Sequence, residues 1–428
     1  MREDLLHFIW KHHKLQRKQL VTSTHLSVKI ENSGTLNRFS GPDFFNAVVE
    51  IDGQRWAGNI EIHLKSSDWY AHHHETDSNY NNVILHVVWE DDVEIFRKDG
   101  SKIPTLELKD YVPLELLNSY QNLFNNPKSS FINCEKDFKT VDDFLLENWL
   151  DRLYIERLEQ KSSLIFELLK TSKNDWESVL FAMLMKNFGS KVNGAFFLER
   201  AKLLNFPIVR KTRNSLNQLE SLLFGYFGLL ENEDCRDVYY LQLKKEYKYL
   251  SKKFELSPAI GKPEFFGLRP SNFPTVRLSQ LANLYGKHEN LFAALMEMDK
   301  LEDIYAIFET EASSYWDNHF TFGKVSKKSK KKLSNSFIDL LIINTIIPIK
   351  FCYAKHLGKD WNEDLISLIS QIKKEENSIV TGFKNLGSKA KNALQSQAKI
   401  QLYNNYCSKN KCLQCSLGGH LLNRNTYF

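Results

Sequence analysis

The chain has 428 residues, 42% of them hydrophobic and 25% charged, with a net charge of +5. That length exceeds one core, so two or three globular domains are expected, and the mild charge does not by itself demand nucleic acid. Six cysteines, unevenly placed, exclude a secreted disulfide scaffold. The N-terminus lacks the uninterrupted apolar stretch of a signal peptide. The most apolar run, Phe337 to Cys352, contains Asp339, Asn344, Pro348 and Lys350 and reads as a buried helix rather than a membrane span. A cytoplasmic protein with reduced thiols and no membrane partner is expected.

Residues 3–15 have the apolar spacing of an amphipathic helix, with Leu5, Leu6, Phe8, Ile9, Trp10 and Leu15 on its apolar surface. Residues 25–31 alternate as a strand. A Gly41-Pro42-Asp43 turn then leads into the apolar run Phe44–Ile51, and Asp52-Gly53 signals a hairpin to a second run ending in Glu61-Ile62-His63-Leu64-Lys65. Strand alternation puts Glu61, His63 and Lys65 on one face and Ile62 and Leu64 on the other. Pairing of the two runs brings Asp43 toward Glu61, and a patch of two carboxylates, an imidazole and an ammonium suits Mg²⁺ or Mn²⁺.

His72 and His74 follow in a polar loop, where H-x-H spacing lets both reach one metal if the loop is extended. Val83–Trp89 is near-continuously apolar, as in a strand covered on both faces. His86 within it is either a buried histidine bonded to a neighbour or aimed at the same patch. Glu3, Glu50 and Asp68 are near enough in sequence to contribute. Asp99-Gly100 marks another hairpin candidate.

The chain therefore reads as α+β. A mixed α/β domain at 1–112 is followed by a linker at 113–139, a large all-helical domain at 140–406 and a cysteine segment at 407–428. Lysines 324–332 crowd a serine-containing stretch. Lys327, Lys328, Lys330, Lys331 and Lys332 form either a solvated loop or a phosphate-contacting one. Cys407, Cys412 and Cys415 have C-x4-C-x2-C spacing, that of metal or cluster ligands. The fourth ligand is His420 nearby or Cys134 in the remote INCE.

These strings carry a resemblance. GPDFFNA, GNIEIH, SSDW, H-x-H and ILHVV, then INCE, LFGYFGLL, RPSNFPTVRLSQLA, NTIIP and YCSKNKCLQC, resemble the Domain of Unknown Function 2851 family of bacterial proteins, which has no established activity. More weakly, Pro42-Asp43 followed by Glu61-x-His63 is similar to the PD-(D/E)XK nuclease pattern. That likeness implies a restriction-endonuclease-like N-terminal fold. It also implies Asp43 and Glu61 as metal ligands and His63 or Lys65 in place of the usual lysine. Some helicase-nucleases of that superfamily hold an iron–sulfur cluster on one remote and three clustered cysteines, an arrangement similar to Cys134 with Cys407, Cys412 and Cys415. The implied function is metal-dependent hydrolysis of phosphodiesters in nucleic acid, with a structural Fe–S or Zn site. The alternatives are a non-catalytic nucleic-acid- or protein-binding module on the same fold, and a zinc hydrolase centred on His63, His72 and His74.

Overall fold

A computed structural model describes the chain apart from residues 17, 38, 126–129, 259–260, 360–361 and 425–428. The fold is α+β. It divides into two compact units, one of Met1–Trp149, Asn385–Ser388 and Leu402–Phe428, the other of Leu150–Lys384 and Lys389–Gln401.

The first unit is built on a mixed sheet. Helix α1 (Glu3–Lys11) buries Leu5, Leu6, Phe8, Ile9 and Trp10, as its apolar spacing requires. Strands β1 (Leu20–Val21), β2 (Ser27–Asn32), β3 (Thr35–Leu36), β4 (Phe44–Ile51), β5 (Gln54–Lys65), β6 (Val83–Glu90) and β7 (Thr105–Glu107) follow. The order is β1-β2-β4-β5-β6-β7, with β3 on β4. The β1-to-β5 pairings are antiparallel, whereas β6 joins β5 and β7 joins β6 in parallel. The β4–β5 turn is Asp52-Gly53, with φ of 51° and 79°, the left-handed pair that a tight hairpin turn needs. Residues Val83–Val88 of β6 are all buried. Leu85 and Val87 join the α1 core, while Val83 joins a second cluster with Trp69, Tyr80, Ile95 and Ile103. Coverage on both faces is the reason the strand shows no polar alternation.

Asp99-Gly100 does make a tight antiparallel turn, with Phe96 bridged to Lys102 and the Arg97 and Ile103 amides donating to the Ser101 and Ile95 carbonyls, but no strand extends from it, and β7 runs parallel to β6. Ile95 and Ile103 are drawn instead into the cluster around Trp69. The 113–139 segment is not a linker, because helix α3 (Leu114–Phe124) buries Leu116, Tyr120 and Leu123 in the main core. Its residues 126–129 lie outside the described part. Nor is 407–428 a separate segment, since Cys412 and Leu422 share the core of Leu5 and Phe8.

The second unit is mainly helical but contains a small hairpin, His319–Thr321 with Lys324–Val325, so it is not all-helical. The apolar run predicted as a buried helix lies in Asn335–His356. By length and composition this helix is long and apolar enough to cross a membrane, yet 78% of its apolar window is buried inside the protein. A π-helical turn at Ile342–Ile346 interrupts it, and the Lys350 ammonium donates to the carbonyls of Met296 and Met298 at 3.0 and 2.7 Å.

Candidate metal centre

The site grows from the β4–β5 pair. Phe44 opposes Ile60, so Asp43, one residue before β4, lies against Glu61. Two hydrogen bonds tie Asp43 to this stretch of β5. The Asp43 amide donates to Glu61 Oε2 at 3.1 Å, and the Ile62 amide donates to Asp43 Oδ2 at 3.0 Å. Glu61 is 5% exposed. Burial, then the neighbouring Asp43 charge, pushes its carboxyl up to about 9. With two pKa units at stake, holding Glu61 ionised at pH 7 costs on the order of 3 kcal/mol without a cation beside it.

Two imidazoles approach the other oxygen of Glu61, and a third joins them. His63 shares its strand face, with Nε2 3.4 Å from Glu61 Oε1. His74 Nε2 lies 3.3 Å from the same oxygen, and His72 Nδ1 lies 3.2 Å from His63 Nε2. Ligand nitrogens of His63, His72 and His74 all fall within 4.8 Å of one another. His72 and His74 follow helix α2 (Asp68–Ala71) in a tight turn rather than the extended loop expected. The exposed His73 takes φ of 60°. Trp69, packed edge-on, and Tyr80, stacked at 3.8 Å, hold the His74 ring.

His86, one strand behind, meets His63 Nδ1 with Nε2 at 2.9 Å. A proton on His63 Nδ1 then donates to His86 and leaves the His63 Nε2 lone pair facing Glu61, His72 and His74, the usual way an outer partner orients a ligating imidazole. Burial, with the neighbouring imidazoles, pushes His63 down to about 3 and His86 well below the ordinary range. Burial also lowers His74. The buried His74 Nε2 has no hydrogen-bond partner among the described residues. Imidazole nitrogens within reach of one another, those of His63 and His74 favoured in the neutral form, beside the buried Glu61 carboxyl make a donor set that fits a divalent transition ion.

Helix α1 supplies a second cluster. His7 Nε2 lies 3.1 Å from Asp43 Oδ2 and 3.6 Å from Glu3 Oε1, and ligand atoms of Glu3, His7 and Asp43 all lie within 4.8 Å of one another. Burial opposes a charged His7, but Asp43 and Glu3 outweigh it and raise its pKa. Glu3 is itself raised, by burial and then by Asp43. Sequence reasoning missed His7. The available signal was its i,i+4 spacing from Glu3, which puts both on one helix face.

Other expected site residues lie elsewhere. Lys65 is not with Asp43 and Glu61: its ammonium is 3.8 Å from Glu90 and 3.9 Å from Asp92, because β5 ends where β6 and the following turn present carboxylates. Asp68 accepts from the Lys65 amide at 3.0 Å, and Glu50 opposes Arg55 near the hairpin turn. In the second unit, Lys331 cannot serve a phosphate-contacting loop. It is 6% exposed, donates to Asp317 O, Ser329 O and Ser329 Oγ, and lies over the Phe320 ring. Lys330 pairs with Glu311 and Asp317 at 3.2 and 3.1 Å. Lys327, Lys328 and Lys332 are exposed.

The cysteines form a separate cluster within the first unit. Cys134, Cys407, Cys412 and Cys415 line one cavity with Leu123, Ile132, Asn133, Tyr406 and Gly418. All four are free thiols. Burial pushes Cys134 up to about 12 and Cys415 up to about 11, and raises Cys407 and Cys412 as well. His420 is exposed and is not among the cavity residues.

A family model described as "Protein of unknown function (DUF2851)" matches residues 3–378. The match includes both histidine–carboxylate clusters and Cys134, and it ends before Cys407. No curated protein and no solved structure matches the chain. The chain belongs to the DUF2851 family.

Proposed function

We propose that this family member is a metal-dependent hydrolase of phosphodiesters, a nuclease whose ion is held by imidazoles as well as carboxylates. One observation carries the reading: Asp43, just before β4, is hydrogen-bonded to the Glu61 stretch of β5, with His63 and His74 at the other oxygen of Glu61 and His72 beside His63. The nuclease-like assignment of the first unit is supported by its leading helix, the antiparallel β2-β4-β5 strands and the parallel β6, with Asp43 and Glu61 at the positions of that pattern. The imidazoles favour Mn²⁺ or Zn²⁺ over Mg²⁺, which prefers oxygen.

Glu61, His63, His72 and His74 would hold the ion, with Asp43 beside it. When bound, the ion supplies Lewis-acid polarisation of the phosphate and an acidified water. The residues of the chain do the rest. His86 fixes the orientation of His63. His63, driven neutral, does not take the charge-stabilising role of the usual lysine, and Lys65 is committed to Glu90 and Asp92. His7 takes that role instead, because Asp43 and Glu3 favour its cationic form at the edge of the site. A cation there stabilises developing negative charge or delivers a proton to a leaving oxygen.

The test uses protein stripped with chelator and reloaded with Mn²⁺, Zn²⁺ or Mg²⁺, assayed on single- and double-stranded DNA and on RNA. Cleavage is expected with Mn²⁺ or Zn²⁺. His72→Ala, on an exposed ring, should weaken metal binding by at least about 100-fold, and Asp43→Ala should abolish turnover. Stoichiometric metal with no phosphodiester cleavage on any substrate would instead favour the zinc-hydrolase alternative. Folded His72→Ala that binds metal as the parent does would remove the site altogether.

A further inference from the structure

The cysteine cavity stands apart from the hydrolase reading and was assembled from four places in the chain. Cys134 lies in a turn beyond α3, and Cys407 ends the π-helical turn Tyr403–Cys407. Cys412 opens the 3-10 turn Cys412–Gln414, and Cys415 caps the helix Ser416–Asn423. Buried cysteines that merely fill a core make no demand on nearby donors. These do attract donors. Asn133 Nδ2 approaches Cys412 Sγ at 3.5 Å, and the backbone amides of Leu417 and Gly418 donate to Cys415. Such N–H groups compensate sulfur that carries negative charge, as metal-bound thiolate does.

The chain geometry that allows this depends on one glycine. A Cβ on Gly418 would sit 2.0 Å from the Cys412 carbonyl oxygen, so the helix start reaches the loop only because residue 418 has no side chain.

The order of the cysteines bears on the occupant. Cys407, Cys412 and Cys415 have C-x4-C-x2-C spacing, that of cluster ligands, and Cys134 completes a set of four around one cavity. We propose that Cys134, Cys407, Cys412 and Cys415 hold a four-cysteine iron–sulfur cluster.

The position of the cluster gives it a structural duty. Cys412 belongs to the core that contains Leu5, Phe8 and Ile9 of α1, with Cys134 and Leu413 packed against it. A Cβ on Gly419 would meet the Phe8 ring at 3.9 Å. The cluster therefore pins residues 407–423 against the helix that carries Glu3 and His7, and cluster binding becomes folding energy of that corner.

The test is metal and sulfide analysis of the full chain purified without oxygen, with visible absorbance and electron paramagnetic resonance before and after reduction. Iron and acid-labile sulfide in equal amounts, about two or four of each per chain, are expected. Cys407→Ser and Cys412→Ser should lose most of the iron, whereas Cys235→Ser should retain it. The parent protein decides the matter even if a variant fails to fold. One zinc per chain without sulfide would overturn the proposal, as would four thiols that alkylate in the native, metal-free protein. Hydrogen exchange should report faster opening of α1 after cluster loss. Unchanged α1 protection would overturn the pinning role. Neither result depends on nuclease activity, so a cluster in an inactive protein leaves this inference standing.

Discussion

Glu61→Gln should change sign in its effect when metal is added. Glu61 titrates ordinarily at 4.5 when unfolded and near 9 when folded. Between those values the folded state binds more protons than the unfolded state, so wild-type stability without metal falls as pH rises through that window. At pH 7 the chain is two and a half units above the unfolded pKa, and protonating Glu61 on folding costs about 3 kcal/mol. Glutamine avoids that cost, and its amide oxygen can still accept from the Asp43 amide. Metal-free Glu61→Gln should thus be more stable than the parent by up to about 3 kcal/mol at pH 7. The gain should grow toward pH 9 and vanish below 4.5. With Mn²⁺ or Zn²⁺ present the order reverses. The parent gains about 4.1 kcal/mol at a thousandfold excess of free metal over Kd, and the variant gains far less. Hydrogen exchange of the β5 and β6 amides, with chelator and with metal at pH 5, 7 and 8.5, reads the sheet unit separately from the helical one. A metal-free variant less stable than the parent at pH 8.5 would refute the account of Glu61 as a carboxyl buried in wait of a cation.

Other outcomes follow from the surroundings of single residues. Lys65→Ala should leave metal binding and cleavage unchanged and shift stability by under about 0.5 kcal/mol, because its pairs with Glu90 and Asp92 are half-exposed. A collapse in turnover would return Lys65 to the chemistry. Lys331→Ser should destabilise the helical unit by about 1–3 kcal/mol, read by denaturant unfolding, since it strands the carbonyls of Asp317 and Ser329. Replacing Lys327, Lys328 and Lys332 by serine should leave folding intact and, if that loop meets nucleic acid, lower the salt slope of binding by about one for each phosphate-neutralising lysine removed. Gly225→Ala should cost about 1–3 kcal/mol or more, because its Cβ would sit 2.0 Å from the Tyr247 ring.

Local chemistry made part of this protein legible in the sequence alone. Periodicity alone predicts α1, the β4–β5 hairpin with its Asp52-Gly53 turn, and the doubly covered β6, because each is set by alternation or turn sterics within a few residues. The same alternation puts Glu61 and His63 on one face. It misplaces Lys65, since a strand's phase says nothing about which carboxylates wait at its end. The Asp99-Gly100 turn forms as its local pattern asks, but its flanks do not extend as strands, and the 113–139 segment departs from its local pattern for a related reason. Ile95, Ile103 and α3 answer to clusters assembled from distant parts of the chain. Only the tertiary structure brings His7 to Asp43 across α1 and β4, folds His72 and His74 around a left-handed His73, and sets His86 behind His63. Each of these requires the sheet to exist first. The cysteine spacing marks three sulfurs as a group, but the choice of Cys134 over His420 rests on α3 and the C-terminal helix sharing one core, a meeting of residues nearly three hundred positions apart that no local rule encodes.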